Sequence, residues 1–185
     1  MAAREPAPGR LQLVVEFVNT LDVEVGRDEL SDPSSLGEWL VETGLLPAPS
    51  PPVTDDDVAT TGQLREALRS LLAANNGIGS ADLQTLNAST HELTLRVVFS
   101  GDRDVALRPL ESAGVTGALA DLVGVVFTAM TDGKWNRLKV CREDTCRWAY
   151  YDSSKNRSAA WCSMAVCGNR AKARAYRARV NENAN

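Results

Sequence analysis

Imidazole is almost absent from this chain: one histidine, His91, serves 185 residues. A catalytic relay or a metal site built on paired histidines therefore has no second member. With no cysteine near it, His91 reads as a surface or helix-end residue. Glycine-rich phosphate loops and nucleophile motifs are also missing, so an enzyme is not expected. No stretch approaches about 18 consecutive apolar residues, so no membrane span is expected either. The opening MAAREPAPGR has no apolar run behind its charges, which argues against a secretory leader and for a reducing cytoplasm. Cysteine is missing from the first 140 positions, and all four copies fall near the C-terminal end.

What is present is an ordinary apolar share, 44%, sufficient for a buried core. The charge is divided. Residues 1–133 hold 8 basic against 20 acidic side chains, net −12, and residues 134–185 hold 12 against 4, net +8. A basic tail on an acidic body points to a nucleic-acid-facing tail, or to a tail docked on its own body.

Residues 1–10 read as a loose N-terminus. Apolar spacing predicts a helix from Leu11 to Val25 and a second through Leu36, Trp39, Leu40 and Leu45, capped by Ser34 or Ser35. PAPSPPV at 47–53, with four prolines, is an extended connector. Thr54 followed by Asp55, Asp56 and Asp57 marks a strong helix start, and the three acids fit that role better than a metal cluster. This helix ends at Asn75-Asn76-Gly77. A short helix follows at 80–89, with Leu83 and Leu86 inward. Glu92 to Phe99 and Asp104 to Leu110, joined by Ser100-Gly101-Asp102, form a β-hairpin. Val115 to Met130 is a core helix. Asn19 and Thr20, polar on an apolar helix, either line a ligand pocket or satisfy backbone groups between packed elements. The fold class is thus α+β: a helix-rich N-terminal domain, 1–133, with one hairpin, and a small module at 134–185.

That module carries the chemistry. Cys141-x4-Cys146 and Cys162-x4-Cys167 are two close pairs, fifteen residues apart. In a reducing compartment such grouping points to metal before disulfides. Four thiolates complete a tetrahedron around one Zn2+ and leave no open position, so the site is structural. A treble-clef-like order follows. Leu138 and Val140 lead into a knuckle, Trp148 to Tyr151 and Ser158 to Trp161 are strand-like, and Ser163 caps a helix that holds Cys167 in its first turn. The small hairpin cannot bury a core alone. Loss of zinc is therefore expected to unfold 137–180.

The helix beyond Cys167 is rich in alanine and arginine. Arg170, Arg174 and Arg177 share one face, Lys172 and Arg179 another, and Tyr176 and Val180 are placed to pack on the hairpin. Arg147, Lys155 and Arg157 join them as candidate phosphate contacts. Six neutralised phosphates would give a salt slope of about −5. An acidic partner protein is the other reading of the same charge.

These residues are also familiar as a pattern. Trp161-Cys162-Ser163-Met164 followed by Cys167-Gly168-Asn169-Arg170 resembles the CGNR-type zinc finger of bacterial proteins. Tyr151 to Asn156 is similar to its aromatic-Asp-x-Ser turn. Upstream, Glu16-Phe17-Val18-Asn19-Thr20 resembles the start of the ABATE domain, described as a stress-induced transcription regulator. The resemblance implies all four cysteines as zinc ligands and a DNA-binding regulatory role. The N-terminal domain is left to sense a small-molecule or protein signal, or to form a homodimer. An adaptor, in which zinc only scaffolds the basic tail for a protein partner, is the alternative. One departure stands out: Ala159 and Ala160 replace basic residues that the family often carries. By their own chemistry, Gly168 allows close packing, and Asn169 is a candidate hydrogen-bond donor to a thiolate.

Overall fold

The computed structural model describes residues 4–101, 104–111 and 113–182. Asp102, part of the expected hairpin turn, lies outside them. α1 (Leu11–Asn19) buries Leu11, Val14, Val15 and Val18, the helical spacing read from the sequence, and Phe17 with them. It stops six residues earlier than expected. Thr20 turns its hydroxyl back onto the Phe17 carbonyl, 2.7 Å away. Asp22 then accepts the backbone N–H groups of Glu24 and Val25, and Gly26 takes a positive φ of 69°. That turn closes a two-stranded ladder, β1 (Leu21–Asp22) against β2 (Arg27–Asp28).

α2 (Pro33–Glu42) is capped by Asp32, whose carboxylate accepts the N–H groups of Ser34 and Ser35. The cap is thus two residues earlier than Ser34, the nearer of the two serines, because proline at the first helical position needs no acceptor. Residues 47–53 have no regular structure, as the prolines dictate. α3 (Asp55–Ala74) opens on a reciprocal capping box between Thr54 and Asp57, so the acid cluster stands at a helix start. α4 (Leu83–Thr90) leaves Leu83 exposed, against expectation, while Leu86 packs on the core. β3 (Leu95–Gly101) and β4 (Asp104–Pro109) pair antiparallel, with Leu95 opposite Pro109 and Phe99 opposite Val105. α5 (Gly114–Thr131) is long and apolar enough to cross a membrane by length and composition. Its buried residues, including Leu119, Leu122 and Val126, are instead part of the core formed with α1 and α3.

The C-terminal module does not stand apart. β5 (Leu138–Val140) and β6 (Ala149–Tyr151) pair antiparallel. Leu138, Val140 and Ala149 are fully buried in the main core. A two-stranded sheet alone is marginal in water, and α1 and α3 supply the surface this one needs. From Arg4 on, the N-terminal segment is not loose either. Ala7 is buried, and the Arg4 guanidinium donates to the carbonyls of Trp161 and Cys162 while covering the Tyr150 ring.

Candidate metal centre and its surroundings

β5 delivers Cys141 to the centre, and the chain then folds into a knuckle. Cys141 N–H donates to Trp148 O at 2.9 Å, and the N–H groups of Cys146 and Arg147 both reach Glu143 O. Arg147 sits at φ 51°, an unusual conformation for a non-glycine residue, held by this turn. The second pair lies on a different scaffold. The stretch expected to return as a strand before Cys162 is irregular. It is tied instead by Arg142 N–H donating to Ala160 O. Cys167 lies in a wide helical turn, Met164–Gly168, of the π type, which precedes α6 (Asn169–Glu182). Ser163 makes no side-chain cap there.

The four sulfurs lie within 4.8 Å of one another. Cys146 Sγ is 3.6 Å from Cys162 Sγ, which is 3.7 Å from Cys167 Sγ. Bonds of ~2.3 Å to a central Zn2+ demand a tetrahedral edge of about 3.8 Å. The donor set fits. Cys141, Cys146 and Cys167 are buried, and Cys162 is partly so. As thiols, the group is electrostatically crowded. The thiols of Cys146 and Cys162 donate to Cys141, which lowers Cys141 and raises both donors, Cys146 to about 12. Burial raises Cys167 as well. Only a cation at the centre lets all four ionise together. The cysteines therefore hold one structural zinc ion.

Around this centre, the body grips the finger through side chains that, Asn19 apart, the sequence did not assign to this role. Asn76 donates to Val140 O and Ala160 O, at 2.8 and 3.0 Å. Asn75 donates to Trp135 O and Leu138 O. Asn19 pairs its amide with both backbone groups of Ala149, so it satisfies backbone between packed elements, and it also lines a cleft beside them. Arg69, 4% exposed, donates to Val18 O, Leu21 O and Arg147 O, linking α1, β1 and the knuckle from α3. Arg69→Ala strands these carbonyls and is expected to cost about 3 kcal/mol in urea melts. Arg69→Lys restores only part, since an ammonium lacks the planar fork that spans several acceptors. Equal stability of all three chains would refute this role.

The candidate phosphate contacts fall into two groups. Arg170 pairs with Glu24 at 2.7 Å, and Arg174 grips the buried Glu143, with its Nη1 donating to Oε1 at 2.9 Å and its Nη2 2.8 Å from Oε2. The arginine face of α6 is thus turned partly onto the protein, where Arg174 fixes the knuckle that Glu143 belongs to. Lys172, Arg177, Arg179, Lys155 and Arg157 are exposed, Arg147 is partly buried, and among the described residues none of these six has a carboxylate within salt-bridge distance. Tyr176 and Val180 do not pack on the hairpin; they are 63% and 47% exposed. Asn169 donates to Ala165 O, within its own turn, and not to a thiolate. At Gly168 a Cβ would stand 2.8 Å from Met164 side-chain atoms, so the glycine allows that side chain, more than the metal, to come close. Ala159 and Ala160 contribute backbone: their carbonyls accept from Tyr150, Lys139 and Asn76.

A family model for the CGNR zinc finger matches residues 137–180. A second, ABATE, whose description reads "Putative stress-induced transcription regulator", matches residues 11–133. Neither is an enzyme family. No curated protein matches the chain.

Proposed function

From a chain that belongs to the ABATE family and ends in a CGNR zinc finger, we infer a zinc-dependent transcription regulator that binds DNA through α6 and the Lys155–Arg157 turn. One observation carries this reading. Every residue from Lys172 to Asn181 is exposed, so the helix beyond the metal has no packing face of its own. A helix of this length is marginal alone in water. It is anchored at its base by the metal turn and the Arg170 and Arg174 ion pairs, and its free cations are left for an external polyanion. The acidic body, net −12, repels DNA and leaves the tail as the contact. In this reading the body is the part that receives the signal.

Fluorescence anisotropy of the zinc-loaded chain on duplex DNA tests the reading. With five free cations engaged, log K should fall against log salt with a slope of about −4.5. Substituting Lys172, Arg177 and Arg179 with alanine should reduce that slope by about 3. Absence of binding at low salt, or a slope untouched by the triple substitution, would overturn it. Nuclease-resistant capture of one acidic protein would favour the adaptor.

A further inference from the structure

A cleft of about 560 Å³ opens where α1, α2 and the N-terminal segment meet β6 and the Cys162 turn. That volume suits a small organic ligand. Its walls include Trp39, Trp148 and Tyr151, and its rim carries Glu5 and Glu16. Glu29 also lines it but is paired with Arg27. Among the described residues, Glu5 and Glu16 have no basic partner within salt-bridge distance, although Gln12 donates to Glu16. The one cation in the lining, Arg4, is held by the carbonyls of Trp161 and Cys162. Its guanidinium stands 4.5 Å from the centre of the Tyr150 ring. The chain's own N-terminal segment thus shows that this wall accepts a flat, delocalised cation. With zinc bound, the four-thiolate centre carries net −2, and its Cys162 lines the same cleft.

We propose that this cleft binds a small organic cation, an aromatic or alkyl ammonium or a guanidine, between the tryptophans and beneath the two free carboxylates. Aromatic faces attract such cations through their ring quadrupole, and the carboxylates set the sign of charge. Anions of the same shape are rejected. The ligand touches α1 and α2 on one side and Trp148 and Cys162 on the other, so it bridges the body and the finger. Its effect on DNA rests on the regulatory reading above; its binding does not.

The test uses the full zinc-loaded chain. Benzyltrimethylammonium is titrated against tryptophan fluorescence and, separately, by calorimetry, with benzenesulfonate and benzyl alcohol as anionic and neutral probes. Saturable binding of the cation at about 1 mM or below is expected, at least about tenfold tighter than either control. Trp148→Ala and Glu16→Gln change exposed side chains and should leave the fold intact. Each should weaken cation binding, Trp148→Ala by about tenfold and Glu16→Gln by about fivefold. No cation binding, equal binding of all three probes, or unchanged affinity in both variants would overturn the proposal. A chain that binds the cation but no DNA refutes the regulatory reading and keeps the cleft. A chain that binds DNA but no cation does the reverse.

Discussion

Cys162→Ser and Cys146→Ser each release the metal and loosen the chain from Cys162 through α6, while β5 and β6 stay folded. The loss of metal affinity should exceed the ~10- to 100-fold that removing a partner behind a ligand costs, because a ligand itself is gone. Structural zinc contributes on the order of 10–16 kcal/mol of folding free energy in isolated finger peptides. There, its loss unfolds everything. Here the consequence is divided. Leu138, Val140 and Ala149 belong to the main core, and the Asn76 and Asn19 amides hold both strands from the body side. The Cys162–Gly168 turn lacks comparable anchors. It is held by the sulfurs, the Arg4 contacts to Trp161 and Cys162, and the ion pairs of Arg170 and Arg174. Metal analysis and hydrogen exchange measure the two halves of the expectation. Unchanged zinc content would end the four-cysteine assignment. Loss of protection at Leu138 to Val140 together with α6 would return the whole finger to metal control.

Asp152→Asn should destabilise the chain by about 3 kcal/mol at pH 7, for reasons unconnected with metal ligation. Asp152 is fully buried, and Lys139 is 4% exposed. Lys139 Nζ meets the carboxylate at 2.7 Å, and the N–H groups of Ser154 and Ala159 each donate to it at 3.0 Å. Removing the negative charge leaves a buried ammonium with neutral carbonyls around it, those of Arg157 and Ala159 among them, and no counter-charge. Burial alone would raise the Asp152 carboxyl, but the Lys139 and backbone hydrogen bonds outweigh it and hold the group at about 2, below its ordinary 3.8. A depressed carboxyl contributes stability above its unfolded value and loses it as pH falls toward its folded one. The window is therefore pH 4 to 2, and the amount on the order of 2 kcal/mol. Urea melts of both chains across that range, in the same metal state, give the difference directly. The stability gap should shrink as pH drops from 4 to 2. A gap that stays constant would remove Asp152 from the acid response.

The sequence made the metal legible because cysteine is scarce and its chemistry is local. Spacing, compartment and the lack of any other cysteine all pointed at Cys141, Cys146, Cys162 and Cys167 together. Helix starts were legible for the same reason: Thr54 and the acids after it act within one turn. The joint between body and finger was not. Asn76 read as a terminator, since Asn-Asn-Gly ends helices, and nothing in that tripeptide says its amide will reach Val140 and Ala160, more than sixty residues on. Arg69 was one basic residue on an amphipathic helix until the carbonyls of Val18, Leu21 and Arg147 surrounded it. Periodicity misjudged α6 in the opposite way. Placing Tyr176 and Val180 on one stripe predicted a packed face, but no element lies beneath them.

That unsupported helix has a consequence in distance. Fourteen residues at 1.5 Å each extend about 21 Å, and Arg179 stands roughly 15 Å from the first turn. In physiological salt an exposed charge is felt over about 8 Å. The cations far along α6 therefore stand more than one screening length from the turn at the base of the helix. Pairing at the base, by Arg170 and Arg174, neutralises the part of the helix that remains within it. One helix thus carries a paired base and an unpaired, charged far end.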